Sequence, residues 1–337
     1  MGLLEGFGLT CVAGGVMGAN LLPMKWIKIW KWENFWLVYS VVSLLVVPLL
    51  LAFLVIPKFS QVYATLSAGA ILTPFVLGAA WGIAQLGAGI CVDRIGLALT
   101  ASILNGFAAA AGTLLPVLLQ HSDMLFQRSG LLILAGTGVM VAGVALCGWA
   151  GRQREKAAGL SKFSSHGAYS LMIGVAVVSG ILAALLNIAL AYGGDIIQRA
   201  RNQGAQPAWA VYAVWPLVLA GALIINVGYS LYLLSKNRSW GNFGTHMAEL
   251  RNPVLGGCMW MGAIAIYSSG TTFLGILGVS VGWALFQITM ILGGNLAGLM
   301  TGEWRQMEAR IHKANLAGIV VLFLAMALFG FANYSGV

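Results

Sequence analysis

The chain has 337 residues, 60% of them hydrophobic and only 8% charged, with a mean hydropathy of +0.90. Soluble domains carry roughly 25% charged residues, so this chain cannot clothe itself in a water-compatible surface, and lipid must be its main solvent. The net charge is +9 and the pI about 9.6. The Lys and Arg residues stand in short clusters between apolar runs, which argues against nucleic acid as a partner and for the charge asymmetry of a membrane protein.

Ten apolar segments follow one another along the chain. They run from Glu5 to Leu22, Asn34 to Ile56, Gly69 to Val92, Gly96 to Leu119 and Gly130 to Ala150. After a polar linker come Gly167 to Ala191, Trp209 to Leu234, Pro253 to Phe273, Gly278 to Met300 and Ala314 to Asn333. A spanning helix needs about 20 apolar residues; the segments are too long for strands and lack a barrel's alternation. The first lacks the basic n-region of a signal peptide, since Glu5 is the only charge before it, and reads as a permanent helix. The expected fold is an all-α polytopic membrane protein with ten transmembrane helices, as a monomer or homodimer in a lipid bilayer.

The linkers fix an orientation. Those after segments 1, 3, 5, 7 and 9 carry fourteen of the eighteen basic residues: Lys25, Lys28, Lys31, Arg94, Arg152, Arg154, Lys156, Lys162, Lys236, Arg238, Arg251, Arg305, Arg310 and Lys313. The others carry four, Lys58, Arg128, Arg199 and Arg201. The richer side is expected in the cytoplasm and both termini outside, in a bacterial-type inner membrane.

The two halves, 1–165 and 166–337, look related. Gly78-Ala-Ala-Trp81 resembles Gly257-Cys-Met-Trp260, and a Gly follows each Trp at the same interval, at Gly96 and Gly275. Asn20 and Asn187 are a further candidate pair. A repeat of five helices is inverted in the membrane, an arrangement typical of transporters. Small residues at GxxxG spacing, such as Gly14/Gly18 and Gly78/Gly82, supply close helix contacts.

The spans hold few charges but several amides and aromatics. An amide in hydrocarbon is costly unless hydrogen-bonded. Interhelical bonding would satisfy any one of them, whereas several converging on a cavity would suit a ligand rich in hydroxyls. Indoles offer a flat apolar face to a sugar ring and an N–H to a hydroxyl. The candidate substrate-binding residues are Asn20, Trp81, Gln85, Asn105, Asn187, Trp260, Tyr267 and Gln287. Trp26, Trp30, Trp32 and Trp36 read instead as interfacial anchors. Glu33, Asp123, Glu155, Glu249 and Glu308 read as solvated, and Asp195 and Glu303 as paired with Arg199 or Arg305, which leaves Glu5 and Asp93 on helices 1 and 3 beside the candidate residues. Cys11, Cys91, Cys147 and Cys258 form no CxxC pair and read as small buried hydrophobes; no metal site or cofactor is expected. No GxSxG or Walker sequence appears, so an enzyme or ATP-driven pump is not indicated.

Five stretches, in order, resemble the L-rhamnose–proton symporter family of the drug/metabolite transporter superfamily. They are Pro23-Met-Lys25 with Trp30-Lys31-Trp32-Glu33-Asn-Phe-Trp36; Gly78-Ala-Ala-Trp81-Gly82-Ile83 continuing to Arg94-Ile-Gly96; Ile224-Ile225-Asn226-Val-Gly228; Gly257-Cys-Met-Trp260; and Gly293-Gly294 with Glu303-Trp304. The resemblance implies two inverted five-helix repeats and proton-linked uptake of a deoxy-sugar, with Glu5 and Asp93 as the candidates for carrying the coupling proton. This chain departs from it at Ala84-Gln85-Leu86 and at Gly278-Val-Ser280-Val-Gly282, where the family carries polar residues. Transport of a monosaccharide is the expected function. The alternatives are an exporter of metabolites or amino acids on the same scaffold and a non-transport assembly subunit.

Overall fold

The computed structural model describes residues 2–157, 166–302, 304–305 and 307–335; Lys162 and Glu303 lie outside them. Among the described residues no strand forms, as expected of a chain that must satisfy its backbone hydrogen bonds without water. Ten long helical stretches take up the ten apolar segments: α1 Leu3–Ala19, α2 Trp32–Val55, α3 Ala68–Ile95, α4 Leu97–Gln120 and α5 Arg128–Ala157. The second half supplies α6 His166–Ala183 continued by Leu185–Ala191, α7 Trp215–Lys236, α8 Arg251–Thr272, α9 Gly278–Met300 and α10 Ala309–Ser335.

Among the described residues, nine stretches are both long and apolar enough to cross a membrane, and α8 is not one of them. It has 22 residues, but glycine, serine and threonine dilute its hydropathy, and most of its surface is turned inward. Two helices depart from regular winding. α2 widens into a π turn at Val42–Val46, just before Pro48 withholds a backbone donor. α6 breaks at Ala184 and resumes at Leu185.

The loops sort onto two faces. On one, the Glu249 carboxylate before α8 accepts hydrogen bonds from the backbone N–H groups of Lys28 (3.0 Å), Ile29 (3.0 Å) and Trp30 (2.7 Å) after α1. Lys31 Nζ donates to the Asn237 carbonyl, and Lys25 Nζ to Thr301 Oγ1 after α9. Arg154 near the end of α5 lies 4.9 Å from the Trp304 ring. This is the face on which the basic linkers gather. On the opposite face, Arg199 after α6 donates to Thr65 Oγ1 after α2 at 2.6 Å, and Tyr63 Oη donates to the Ala213 carbonyl.

Several expectations about individual side chains are corrected. Glu33 is 4% exposed and accepts from Ser239 Oγ (2.7 Å) and Asn237 Nδ2 (3.0 Å), and Glu155 is buried against Gly96. Neither is solvated, because the basic-face loops fold over them. Trp30 is no interfacial anchor: it is buried, with its Nε1 donating to the Asn242 carbonyl. Cys258 is exposed rather than buried.

Packing between the helices depends on missing side chains. A Cβ on Gly78 would lie 1.8 Å from the Val218 carbonyl oxygen, and one on Gly221 would lie 2.2 Å from that of Phe75, so α3 and α7 meet backbone to backbone. Gly14 and Gly18 do the same for α1 against α9. Gly257 seats α8 against Val42 of α2. The broad contacts run α1 to α8 and α9, α6 to α3 and α4, α3 to α7, and α8 to α2. They are completed by α5 to α10, α4 to α9 and α2 to α7. Gly96 and Gly275, which end α3 and the turn after α8, both take positive φ, +90° and +73°.

Two outcomes test this packing. Gly78→Val should lower folded yield and thermal stability strongly, by about 3 kcal/mol if the helices are forced apart. Gly174→Ala on α6, which meets nothing within 4 Å, should be neutral. Burial pushes the Glu249 carboxyl up, but hydrogen bonds from the backbone of Trp30, Lys28 and Ile29 outweigh it and hold the carboxyl below its ordinary value. A depressed folded-state pKa contributes stability above the usual carboxylate range, lost as pH falls through the lower value. Glu249→Gln should therefore lower the melting temperature at pH 7, and the difference from wild type should shrink below about pH 4.

Candidate functional site

Helices α1, α3, α5, α7 and α9 all end on the basic face, and a cavity of about 500 Å3 opens among three of those ends. Its mouth is formed by Gly18 to Leu21 at the end of α1, Gly151 and Arg154 on α5, and Gly294, Asn295 and Trp304 on and after α9. Its depth is reached by Gln85 of α3, Asn105 of α4 and Trp260 of α8, each well inside its helix. The volume suits a small molecule, and both halves of the chain contribute walls.

Four of the eight residues expected at a binding site line this space: Asn20, Gln85, Asn105 and Trp260. Asn20 Nδ2 donates to Tyr39 Oη at 3.2 Å, which fixes its direction. Gln85 and Asn105 are half-buried amides. Trp81 backs the wall: its ring centroid lies 5.5 Å from that of Trp260, with the planes tilted by 36°, and each indole is 6% exposed. The two tryptophans picked out by matching Gly-x-x-Trp stretches therefore meet as a tilted pair where the halves join.

The other three lie elsewhere. Asn187 and Tyr267 are fully buried and bonded to each other, Tyr267 Oη donating to Asn187 Oδ1. Asn187 Nδ2 donates to the carbonyls of Gly112 (2.9 Å) and Val279 (3.2 Å). Gln287 is buried on α9, one turn beyond Trp283. Nearby, Trp283 Nε1 donates to the Ala108 carbonyl at 2.9 Å, and its ring fills the space at Gly112. These residues belong to the half of the spans away from the mouth, and they close it.

Sequence reasoning missed four lining residues. Trp36 lines the cavity, and its Nε1 donates to Asn226 Oδ1 at 3.0 Å, so it is a site residue and not an interfacial anchor. Tyr39 stacks on Trp36 at 5.1 Å. Arg154 and Trp304 guard the mouth, and the buried Trp304 Nε1 has no hydrogen-bond partner among the described residues. An indole N–H left in that state is a donor available to a ligand. Their signal was there in part: Trp304 and Trp36 both fall in the stretches that carry the family resemblance.

Of the two acids expected to carry a proton, Glu5 stands exposed at the start of α1, the end away from the mouth. Asp93 stands in the last turn of α3 toward the basic face, and its side chain lies outside the described residues. No group of three or more His, Cys, Asp or Glu that could hold a metal ion occurs among the described residues.

Comparison with known proteins gives a consistent result. A family model described as L-rhamnose-proton symport protein matches residues 7–335. The chain is 25% identical over 318 residues to the L-rhamnose-proton symporter of Mannheimia succiniciproducens, covering 91% of this chain and 92% of that protein. It is 26% identical over 317 residues to the symporters of that name from Klebsiella pneumoniae and Escherichia coli, with the same two coverages.

The geometry sets an expected labelling pattern. In a background without Cys11, Cys258 and the cavity-lining Cys147, Asn105→Cys should react quickly with a polar thiol reagent reaching the basic face. Tyr267→Cys should resist it. Equal reactivity of the two would mean that the cavity does not end where the structure places it.

Proposed function

We propose that this chain, which belongs to the L-rhamnose-proton symport protein family, carries a monosaccharide such as a deoxy-sugar across the membrane, coupled to protons. It is a transporter and not an enzyme. The observation that supports this reading best is the cavity: it is walled by amides and indoles, reaches the middle of the spans, opens to one face and is closed toward the other. A packed assembly subunit has no use for a space that takes in Gln85, Asn105 and Trp260. Amides supply donors and acceptors for hydroxyls, and indoles supply flat faces for a ring.

The polarity of the molecule follows the charge rule. The face bearing the mouth is the cytoplasmic one, both termini are outside, and the structure is the inward-facing state of a bacterial inner-membrane carrier. The pattern of helix contacts supports two inverted repeats, 1–165 and 166–337. Renumbering each helix by five exchanges the α1–α9 contact with α6–α4, α1–α8 with α6–α3, and α3–α7 with α8–α2, while α5–α10, α4–α9 and α2–α7 map onto themselves. The positive φ of both Gly96 and Gly275, fifteen residues after Trp81 and Trp260, fits the same repeat.

Substrate contact is assigned to Asn20, Gln85, Asn105 and Trp260, with Trp81 positioning Trp260. The coupling group stays with Asp93 before Glu5, because α3 carries it toward the open side. In proteoliposomes, L-rhamnose and related sugars should be taken up faster when an imposed pH gradient drives protons the same way. Trp260→Ala should weaken sugar binding about tenfold while folded yield changes little. Asp93→Asn should remove the response to the gradient and leave sugar exchange. Uptake by the wild-type protein that ignores the gradient would end the proton coupling, and uptake of no sugar at all would end the substrate reading.

A further inference from the structure

Two asparagines singled out as counterparts, Asn20 of α1 and Asn187 of α6, have different partners in this structure. Asn20 bonds within its own half, to Tyr39 of α2 and to the Met17 sulfur, and faces the open cavity. Asn187 bonds within its own half and across to the other. Its side chain ties α6 to the Gly112 carbonyl of α4, to the Val279 carbonyl at the start of α9, and to Tyr267 of α8. Four helices are pinned at one buried point. The break in α6 at Ala184, three residues earlier, sets the direction of that segment. Trp283 of α9 seals beside it, its ring over Gly112 and its Nε1 bonded to Ala108 of α4.

The cavity lining stops short of this point, and extending it past Asn187 toward the opposite face would part α4, α6, α8 and α9 here. The buried amide and phenol then lose every partner, and only water or solute can replace them. An inverted repeat that swaps the conformations of its halves would in turn bring Asn20 against helices of the other half, with Ala88 and not a tyrosine standing where Tyr267 stands for Asn187. We infer that Asn187 with Tyr267 is the seal that closes the outer side of the pathway, and that Asn20 makes the equivalent seal on the inner side when the cavity faces outward. The inference rests on the transport reading given above. It assigns Asn187 and Tyr267 as positioning residues that set which side is open.

The test is thiol labelling of the full chain in lipid nanodiscs, where both faces meet the reagent and orientation does not matter. Cys11, Cys258 and the cavity-lining Cys147 are replaced by alanine. One reporter is Ala108→Cys, buried beneath Trp283, and the other is Asn295→Cys at the mouth. Tyr267→Phe and Asn187→Ala should speed labelling of the Ala108 reporter about tenfold and slow that of the Asn295 reporter, since populations shift between two states. Asn20→Ala, by removing the inner seal, should move both rates the other way. Tyr267→Phe keeps the ring and its packing on Trp283 and Phe286, so it reports even where Asn187→Ala does not fold. Unchanged rates, or both reporters speeding up together as in simple loosening, would overturn the seal. The labelling needs no sugar, so a wild-type protein that moved no sugar would overturn the transport reading alone.

Discussion

Backbone contact between helices from opposite halves is the constraint on which the rest of this structure depends. In lipid there is no hydrophobic force to press helices together, so they associate by close packing and by shared hydrogen bonds. Gly78 and Gly221 let α3 meet α7, Gly257 lets α8 meet α2, and Gly14 with Gly18 lets α1 meet α9. Each contact is too close to admit a side chain. Together they bring the α3 and α8 tryptophans within stacking distance and leave the space beside them to become the cavity. Smooth contacts of this kind also slide at low cost, which a carrier needs.

The loops hold a different part of the molecule. Glu249 clasps the segment after α1 on the basic face, and Arg199 clasps the segment after α2 on the other. Both clasps are closed in the same conformation, on either end of the α2–α7 contact. That side of the molecule is braced at both faces. The cavity mouth lies among the ends of α1, α5 and α9, away from it. Motion that exposes the site to alternate sides is therefore expected of α1, α4, α6 and α9 against a frame that includes α2 and α7.

Polar groups inside the spans fall into two classes by what they bond. Asn295 returns its donor to its own helix, to Ile291, whereas Asn226 bonds Ala222 of its own helix and also accepts from Trp36 of α2. Asn187 reaches other helices, and Gln85 and Asn105 reach the cavity. An amide satisfied by its own helix stabilises without information. One that reaches a neighbouring helix depends on where that neighbour stands, so it couples to conformation.

The sequence by itself determined the membrane class, ten helical segments, the two-face distribution of charge and the family, because hydropathy, span length and Lys/Arg placement are properties of the linear chain. It also picked out the Trp81/Trp260 pair and four residues that line the cavity, since both rest on local motifs or on rare amides in apolar runs. It could not separate Asn20, which lines the cavity, from Asn187, which is fully buried and bonded to α4, α8 and α9. Trp36 and Trp30 read as interfacial anchors because a Trp at a span end normally is one; the packing of α2 on α7 places Trp36 at the cavity, and loop packing covers Trp30. Glu33 and Glu155 read as solvated because nothing in a loop sequence tells which other loop lies over it. Those decisions belong to tertiary structure, since burial and hydrogen-bond partners are set by residues far away in the chain, as Glu33 and Ser239 show at a separation of 206.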